Sequence, residues 1–88
     1  MCPEVYRHHK LISIKFMDLK NKVGQRITQL RKAKSLSQEK FSYEADMERT
    51  YLTHIENGRK NISLSTLEKI LGALNISPKD FFDSKEFK

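Results

Sequence analysis

Apolar residues recur along this chain at steps of three and four, the spacing that lines one face of an α-helix. Leu19, Val23, Ile27 and Leu30 come first and predict an amphipathic helix. Gly24 sits inside it and, on propensity alone, weakens it slightly. Phe41 and Ala45 share the inward face of a second, short helix, with small Ser42 beside them. Leu52 and Ile55, with Met47 just ahead, do the same for a third. Leu67, Ile70, Leu71 and Leu74 line a fourth, with Ser65 and Glu68 spaced as its capping box and Asn75 as its stop. Ser77 and Pro78, a cap followed by a residue suited to the first helical position, open a short fifth helix whose apolar content is Phe81 and Phe82, with Ile76 just ahead. The pattern predicts an all-α, compact five-helix domain over residues 18–84. Residues 1–17 have no helical period. Within them Ile12, Ile14 and Phe16 alternate like a short strand or an extended arm, so this N-terminal extension reads either as a disordered or dispensable tail or as an arm that contacts DNA or a partner subunit. Residues 85–88 are expected to fray.

The most specific stretch is residues 38–57 with Gly58 behind it, QEKFSYEADMERTYLTHIENG. Ser37 is a good N-cap, and Glu39 suits the positive end of the helix that follows. At Asp46 the helical pattern breaks. A tight bend between two helices needs a left-handed residue, and Asp is one of the few types besides Gly that visits that conformation at tolerable cost. Glu48, a poorer cap than Ser or Asp, starts the next helix, and Gly58 ends it. Opposite Leu52 and Ile55 lie Arg49, Thr50, Thr53 and His54, a short, donor-rich face of the kind that lies in a DNA major groove. The same pattern also suits an ordinary helical hairpin whose exposed face is merely soluble.

The residues SLSQEKFSYEADMERTYLTHIENGRKNIS resemble the helix-turn-helix of Cro/repressor-like (XRE) regulators, and GQRITQLRKAK resembles their first helix. The RTY at the head of the third helix and the later RKNISL look most like controller proteins of restriction–modification systems. Asp46 departs from the usual turn Gly, Ser42 from the usual Ala, and Glu48 from the usual Ser, Thr or Asp cap. The resemblance implies a lambda-repressor-like DNA-binding domain. It also implies phosphate contacts from Gln38, at the head of the second helix, and from Asn57, Arg59, Lys60 and Asn61. Glu56, misplaced on a helix that faces phosphates, would by the same comparison pair inward with Arg31 of the first helix.

Among the candidate base contacts, Arg49 can pair bidentately with guanine O6 and N7, worth about 1–3 kcal/mol of discrimination, or else hold a phosphate. Thr50 offers a methyl to thymine and a hydroxyl to a base edge. Thr53 and His54 lie one turn on, with His54 better suited to phosphate or solvent than to a base. Tyr51 can reach a phosphate with its hydroxyl or cover the edge of the core. Leu71, Leu74, Ile76, Phe81 and Phe82 either finish the protomer's core or, as the resemblance implies, form a twofold interface. One helix reads only a few base pairs, so a homodimer on a palindromic operator follows from the geometry.

Charge changes the picture in one respect. The 88 residues carry 17 basic and 11 acidic side chains, a net +6 that favours polyanions. Residues 1–34 hold nine basic and two acidic groups, whereas residues 35–62 hold four and five. Attraction to phosphates must therefore come from the amino-terminal part together with Arg49, Arg59 and Lys60. The near-neutral middle keeps two other classes open: an antitoxin-like protein that binds a toxin, and a protein-interaction module on the same fold. Cys2 is the one cysteine, which excludes an intramolecular disulfide and fits a reducing cytoplasm. The longest apolar run, Leu11–Met17, is broken by Ser13 and Lys15, so no membrane span, signal peptide or membrane partner is expected. A zinc site from Cys2, His8 and His9 lacks a fourth ligand and a recognisable spacing. No catalytic constellation, cofactor motif or small-molecule site is evident, and no enzyme activity is expected.

Overall fold

The computed structural model describes residues 19–87. These form five α-helices, α1 (Leu19–Ala33), α2 (Gln38–Glu44), α3 (Arg49–Glu56), α4 (Leu64–Leu74) and α5 (Pro78–Phe82), followed by a 3-10 turn at Lys85–Phe87. There is no strand among the described residues. The alternating Ile12, Ile14 and Phe16 and the cluster of Cys2, His8 and His9 lie outside them.

The helix ends follow local chemistry. The Ser37 hydroxyl accepts from the Lys40 amide at 3.0 Å, and that of Ser77 from the Asp80 amide at 3.1 Å, with Pro78 in the first turn. Asn75 closes α4 in the left-handed conformation, with φ of 55°. The start of α4 corrects the sequence reading. Ser63, not Ser65, is its cap, accepting from the Thr66 amide at 3.1 Å, while Ser65 falls inside the first turn with its hydroxyl 3.0 Å from that of Ser63.

The core joins the inward faces of all five helices. Ile27 of α1, Phe41 of α2, Leu52 and Ile55 of α3, Ile70, Leu71 and Leu74 of α4, and Phe81 of α5 form one buried cluster. Leu71, Leu74 and Phe81, for which the sequence leaves open the protomer's core or a twofold interface, lie in the protomer's own interior, Leu74 and Phe81 being 1% and 0% exposed. Of that set, only half-buried Ile76 and exposed Phe82 remain at the surface.

The expectation of a fraying end is also corrected. Phe87 folds back so that its ring lies 4.9 Å from that of Phe82 and 6.1 Å from that of Phe81, centre to centre. Arg26 of α1 reinforces this corner, donating from Nε to the Phe81 carbonyl at 2.7 Å and from Nη2 to the Asp80 carbonyl at 2.9 Å. Gln29 of α1 donates to the Glu86 carboxylate. The hydrogen bonds from Ser84 first, and then from Gln29, hold the Glu86 carboxyl below its ordinary pKa.

Helix α3 lies directly on α1, and Gly24 is the reason it can. A Cβ built there would sit 2.4 Å from the Ile55 carbonyl oxygen and 2.7 Å from that of Glu56. The slight local weakening expected of this glycine is accompanied by a main-chain approach that no other residue permits. Further along, the α3–α4 turn rests on the first turn of α1. Gly58, with φ of 76°, has no room for a Cβ beside the Asn21 backbone.

Candidate nucleic-acid interface

The bend that presents α3 is built as its sequence suggests. Asp46 takes φ of 56°, its amide donates to the Tyr43 carbonyl at 3.1 Å, and the Met47 amide donates to the Ser42 carbonyl at 2.9 Å. Small Ser42, 4% exposed, and Ala45, 2% exposed, let the chain turn tightly over the core. Glu48 occupies the cap position of α3 without making a side-chain cap hydrogen bond. The first amides of α3 are therefore left without a capping side chain at the end where its dipole favours an anion.

Two faces of α3 separate cleanly. Leu52, Ile55 and Glu56 are buried. Arg49 and Thr50 are exposed, and Tyr51, Thr53 and His54 are half-buried. The four candidate base-contacting residues thus share one helix of eight residues, and none of them belongs to the buried core.

What fixes that helix is polar. Arg31 Nε donates to Glu56 Oε2 at 2.7 Å and Arg31 Nη2 to Glu56 Oε1 at 3.0 Å, a bidentate pair, while Nη1 donates to the Leu36 carbonyl at 2.8 Å. The side chains of this pair are only 9% and 4% exposed. One guanidinium therefore ties together α1, the loop before α2, and α3. Gln38 extends the network, its Nε2 donating to Glu56 Oε1 at 2.9 Å. A carboxylate only accepts, so the amide nitrogen must face Glu56 and the amide oxygen must face away. That oxygen lies 3.2 Å from the Thr53 hydroxyl, whose single proton is shared between it and the Arg49 carbonyl at 3.0 Å. No buried polar side-chain atom among the described residues is left without a hydrogen-bond partner.

The flanking candidates lie around this helix. Asn57 caps α3, and Arg59, Lys60 and Asn61 follow as an exposed loop. The Arg59 amide is tied to the His54 carbonyl at 2.9 Å, and Lys60 Nζ lies 6.0 Å from the centre of the Tyr51 ring. Gln38, expected at a phosphate, is half-buried, with both ends of its amide engaged within the protein. Two contributors escaped the sequence reading: Gly24, and the Thr53–Gln38 link. A signal existed for the first, because Gly24, Ile27 and Arg31 step by three and four along the buried stripe of α1. Nothing local signals the second. Among the described residues no group of His, Cys, Asp or Glu side chains could hold a metal, and no helix is long and apolar enough to cross a membrane.

Comparison with known proteins agrees with this geometry. A helix-turn-helix family model matches residues 27–81. The control protein C.BamHI of Bacillus amyloliquefaciens is 49% identical over 61 residues, which are 68% of this chain and 75% of that protein. The crystal structure of the restriction–modification controller protein C.AhdI from Aeromonas hydrophila superimposes with a TM-score of 0.69 at 40% identity, covering 72% of this chain and 96% of that one. The controller protein C.Esp1396I, solved as a tetramer in complex with its natural 35-base-pair operator, gives a TM-score of 0.70 at 34% identity, covering 74% and 86%. The chain belongs to the Cro/repressor-like (XRE) helix-turn-helix family of regulators, and within it is similar to the restriction–modification controller proteins.

Proposed function

We propose that this chain is a sequence-specific double-stranded-DNA-binding transcriptional regulator that acts as a homodimer on a palindromic operator. Its own promoter and a linked restriction gene are the proposed targets. One observation carries the reading: α3 is an exposed, donor-rich helix whose inward side is clamped to α1 by a buried ion pair. A helix that merely solubilised the surface would not need such a clamp. A helix that must present Arg49 and Thr50 to base edges does, because sites of this kind tolerate only about 0.5 Å of misplacement.

In this reading Arg49 and Thr50 read bases from the first turn of α3, and Thr53 and His54 extend the face by one turn. Tyr51, Asn57, Arg59, Lys60 and Asn61 hold the backbone, setting register and affinity without sequence information. Gln38 contributes by holding Thr53 and Glu56 in place as much as by meeting a phosphate. Two such helices are set about 34 Å apart by a dimer that meets through surface residues, including Ile76 and Phe82. The operator-bound tetramer of C.Esp1396I supports an assembly larger than one protomer.

The test is a titration of the full chain against the duplex upstream of its own gene and against a scrambled duplex, at physiological salt. Specific binding in the nanomolar range is expected, as is typical of such regulators at roughly 10⁻⁸–10⁻¹¹ M. Arg49→Ala should cost about 1–3 kcal/mol, roughly 5- to 150-fold, on the specific duplex only. Weak, salt-sensitive binding of equal strength to both duplexes would refute the reading.

A further inference from the structure

Glu48 stands at the head of α3 without a task in the folded protein. Residues 35–62 carry five acidic groups against four basic. Glu56 is bound by Arg31 and Gln38, and Asp46 makes the bend and lies 3.9 Å from Lys69 Nζ. Glu39 opens α2 and Glu44 closes it. Glu48 is exposed and forms no cap hydrogen bond. It belongs to neither ion pair found among the described residues, Arg31–Glu56 and Lys69–Asp46. A Ser or Asp at this position would accept from an amide of α3, so stability is forgone here. The helix dipole tolerates a carboxylate at this end. A DNA duplex does not, since phosphates flank any helix that enters the major groove.

We propose that Glu48 is a further specificity-determining residue of the DNA interface, accepting through its carboxylate from the N4 amino group of a cytosine beside the guanine given to Arg49. This role rests on the DNA-binding reading above, which it deepens. Base edges are reached from the first residues of a recognition helix, and Glu48 immediately precedes Arg49 and Thr50. A carboxylate only accepts, and the major groove offers it two donors, the N6 amino group of adenine and the N4 amino group of cytosine. Adenine presents its N7 acceptor beside that amino group and repels a carboxylate. Cytosine has no acceptor of its own on the same edge, so cytosine is the base selected. Any other base leaves the charge beside N7 or carbonyl acceptors, and that repulsion discriminates against it. The same repulsion weakens binding to random sequence. The near-neutral middle of the chain thereby raises the ratio of specific to nonspecific affinity, on which the choice of a site depends.

The test uses the full chain and the duplex upstream of its own gene, with each base pair replaced in turn and competed against the labelled parent duplex. Glu48→Gln, Glu48→Ser and Arg49→Ala are the variants. In the native chain, replacing one C·G pair per half-site should cost about 5-fold, the lower end of the range for a base contact. Glu48→Gln should turn the preference at that pair from cytosine to adenine, because a side-chain amide both donates to N7 and accepts from N6. Glu48→Ser should erase the preference there while raising Tm through the restored cap. Both should bind a scrambled duplex more tightly than the native chain does. Arg49→Ala should flatten the neighbouring G·C pair and spare the one given to Glu48. Glu48 variants that keep every base preference of the native chain, and bind all duplexes more tightly by one common factor, would overturn the role of Glu48 and leave the DNA-binding reading intact. A native chain with no preference at any pair would overturn both.

Discussion

Replacing Gly24 by alanine sets two opposed effects against each other at a single atom. In an exposed helix interior the change stabilises by roughly 0.5–1 kcal/mol, because alanine loses less backbone freedom on folding. Here the added Cβ would stand 2.4 Å from the Ile55 carbonyl oxygen, whereas ordinary contact begins near 3.4 Å, so α1 and α3 must part by about 1 Å. Both obstacles, the carbonyls of Ile55 and Glu56, are main chain and cannot rotate away. Overpacking of this kind costs about 1–3 kcal/mol or more, and with rigid neighbours the upper part of that range applies. The net expectation is a loss of about 2 kcal/mol, which for a domain of this size lowers Tm by about 8–16 °C.

Gly72 supplies the comparison on the same protein. It is exposed in α4, and a Cβ there meets nothing within 4 Å. Gly72→Ala should therefore raise Tm by about 2–8 °C. Thermal melts by far-ultraviolet circular dichroism decide the matter, with operator titration well below Tm as a second readout. A parting of about 1 Å also moves the outward face of α3, so, on the proposed function, Gly24→Ala should bind operator more weakly even where it is fully folded. Gly24→Ala as stable as the native chain would refute the claim that close main-chain approach seats α3 on α1.

Three further outcomes are expected. Glu56→Ala leaves the Arg31 guanidinium buried without its carboxylate and should cost about 3–5 kcal/mol, changing the melt more than the operator preference; the reverse ranking in melt and titration would sink that reading. Phe87→Ala removes a half-buried ring from the contact with Phe81 and Phe82 and should cost about 1–2 kcal/mol, below the roughly 3–5 of a fully buried phenylalanine, whereas an unchanged melt would mean the chain end contributes nothing. The Glu86 carboxyl is held below its ordinary pKa, so the stability it adds is present above the unfolded value and is lost as pH falls through the folded one. Melts of Glu86→Gln against the native chain should differ at neutral pH and converge in acid, and a gap independent of pH would count against the Ser84 and Gln29 hydrogen bonds.

The parts legible in the sequence are those decided within a few residues. Ser37, Asp46, Gly58, Asn75 and the Ser77-Pro78 pair each announce a helix end by their own chemistry, and each sits where that chemistry places it. The five helices and the split between Leu52 and Ile55 on one side of α3 and Arg49 and Thr50 on the other follow from periodicity alone. Ambiguity begins where two residues offer the same service. Ser63 and Ser65 can both cap, and nothing local favours the helix that starts two residues earlier at Leu64. Composition likewise cannot say whether a leucine packs within its own chain or against another, which is why Leu71, Leu74 and Phe81 read as well for an interface as for the interior they occupy.

The placement of α3 shows where such reading stops and what takes over. Its chemistry is written in its own eight residues, but its position is written elsewhere, on the stripe Gly24, Ile27 and Arg31 of α1. Each member of that stripe does a different physical job. Gly24 sets the distance of closest approach, Ile27 supplies buried apolar surface, and Arg31 fixes orientation through a bidentate bond that accepts one geometry and excludes its neighbours. Area burial alone would let α3 slide or rotate on α1, since hydrophobic contact is non-directional. The Glu56 carboxylate removes that freedom by binding Arg31 and Gln38 at once, and Gln38 passes the constraint to Thr53 on the outward side of α3. A buried charge pair of this kind adds little net stability over a well-packed apolar alternative. Its value lies in specifying orientation, the property on which the proposed base-reading role of α3 would depend.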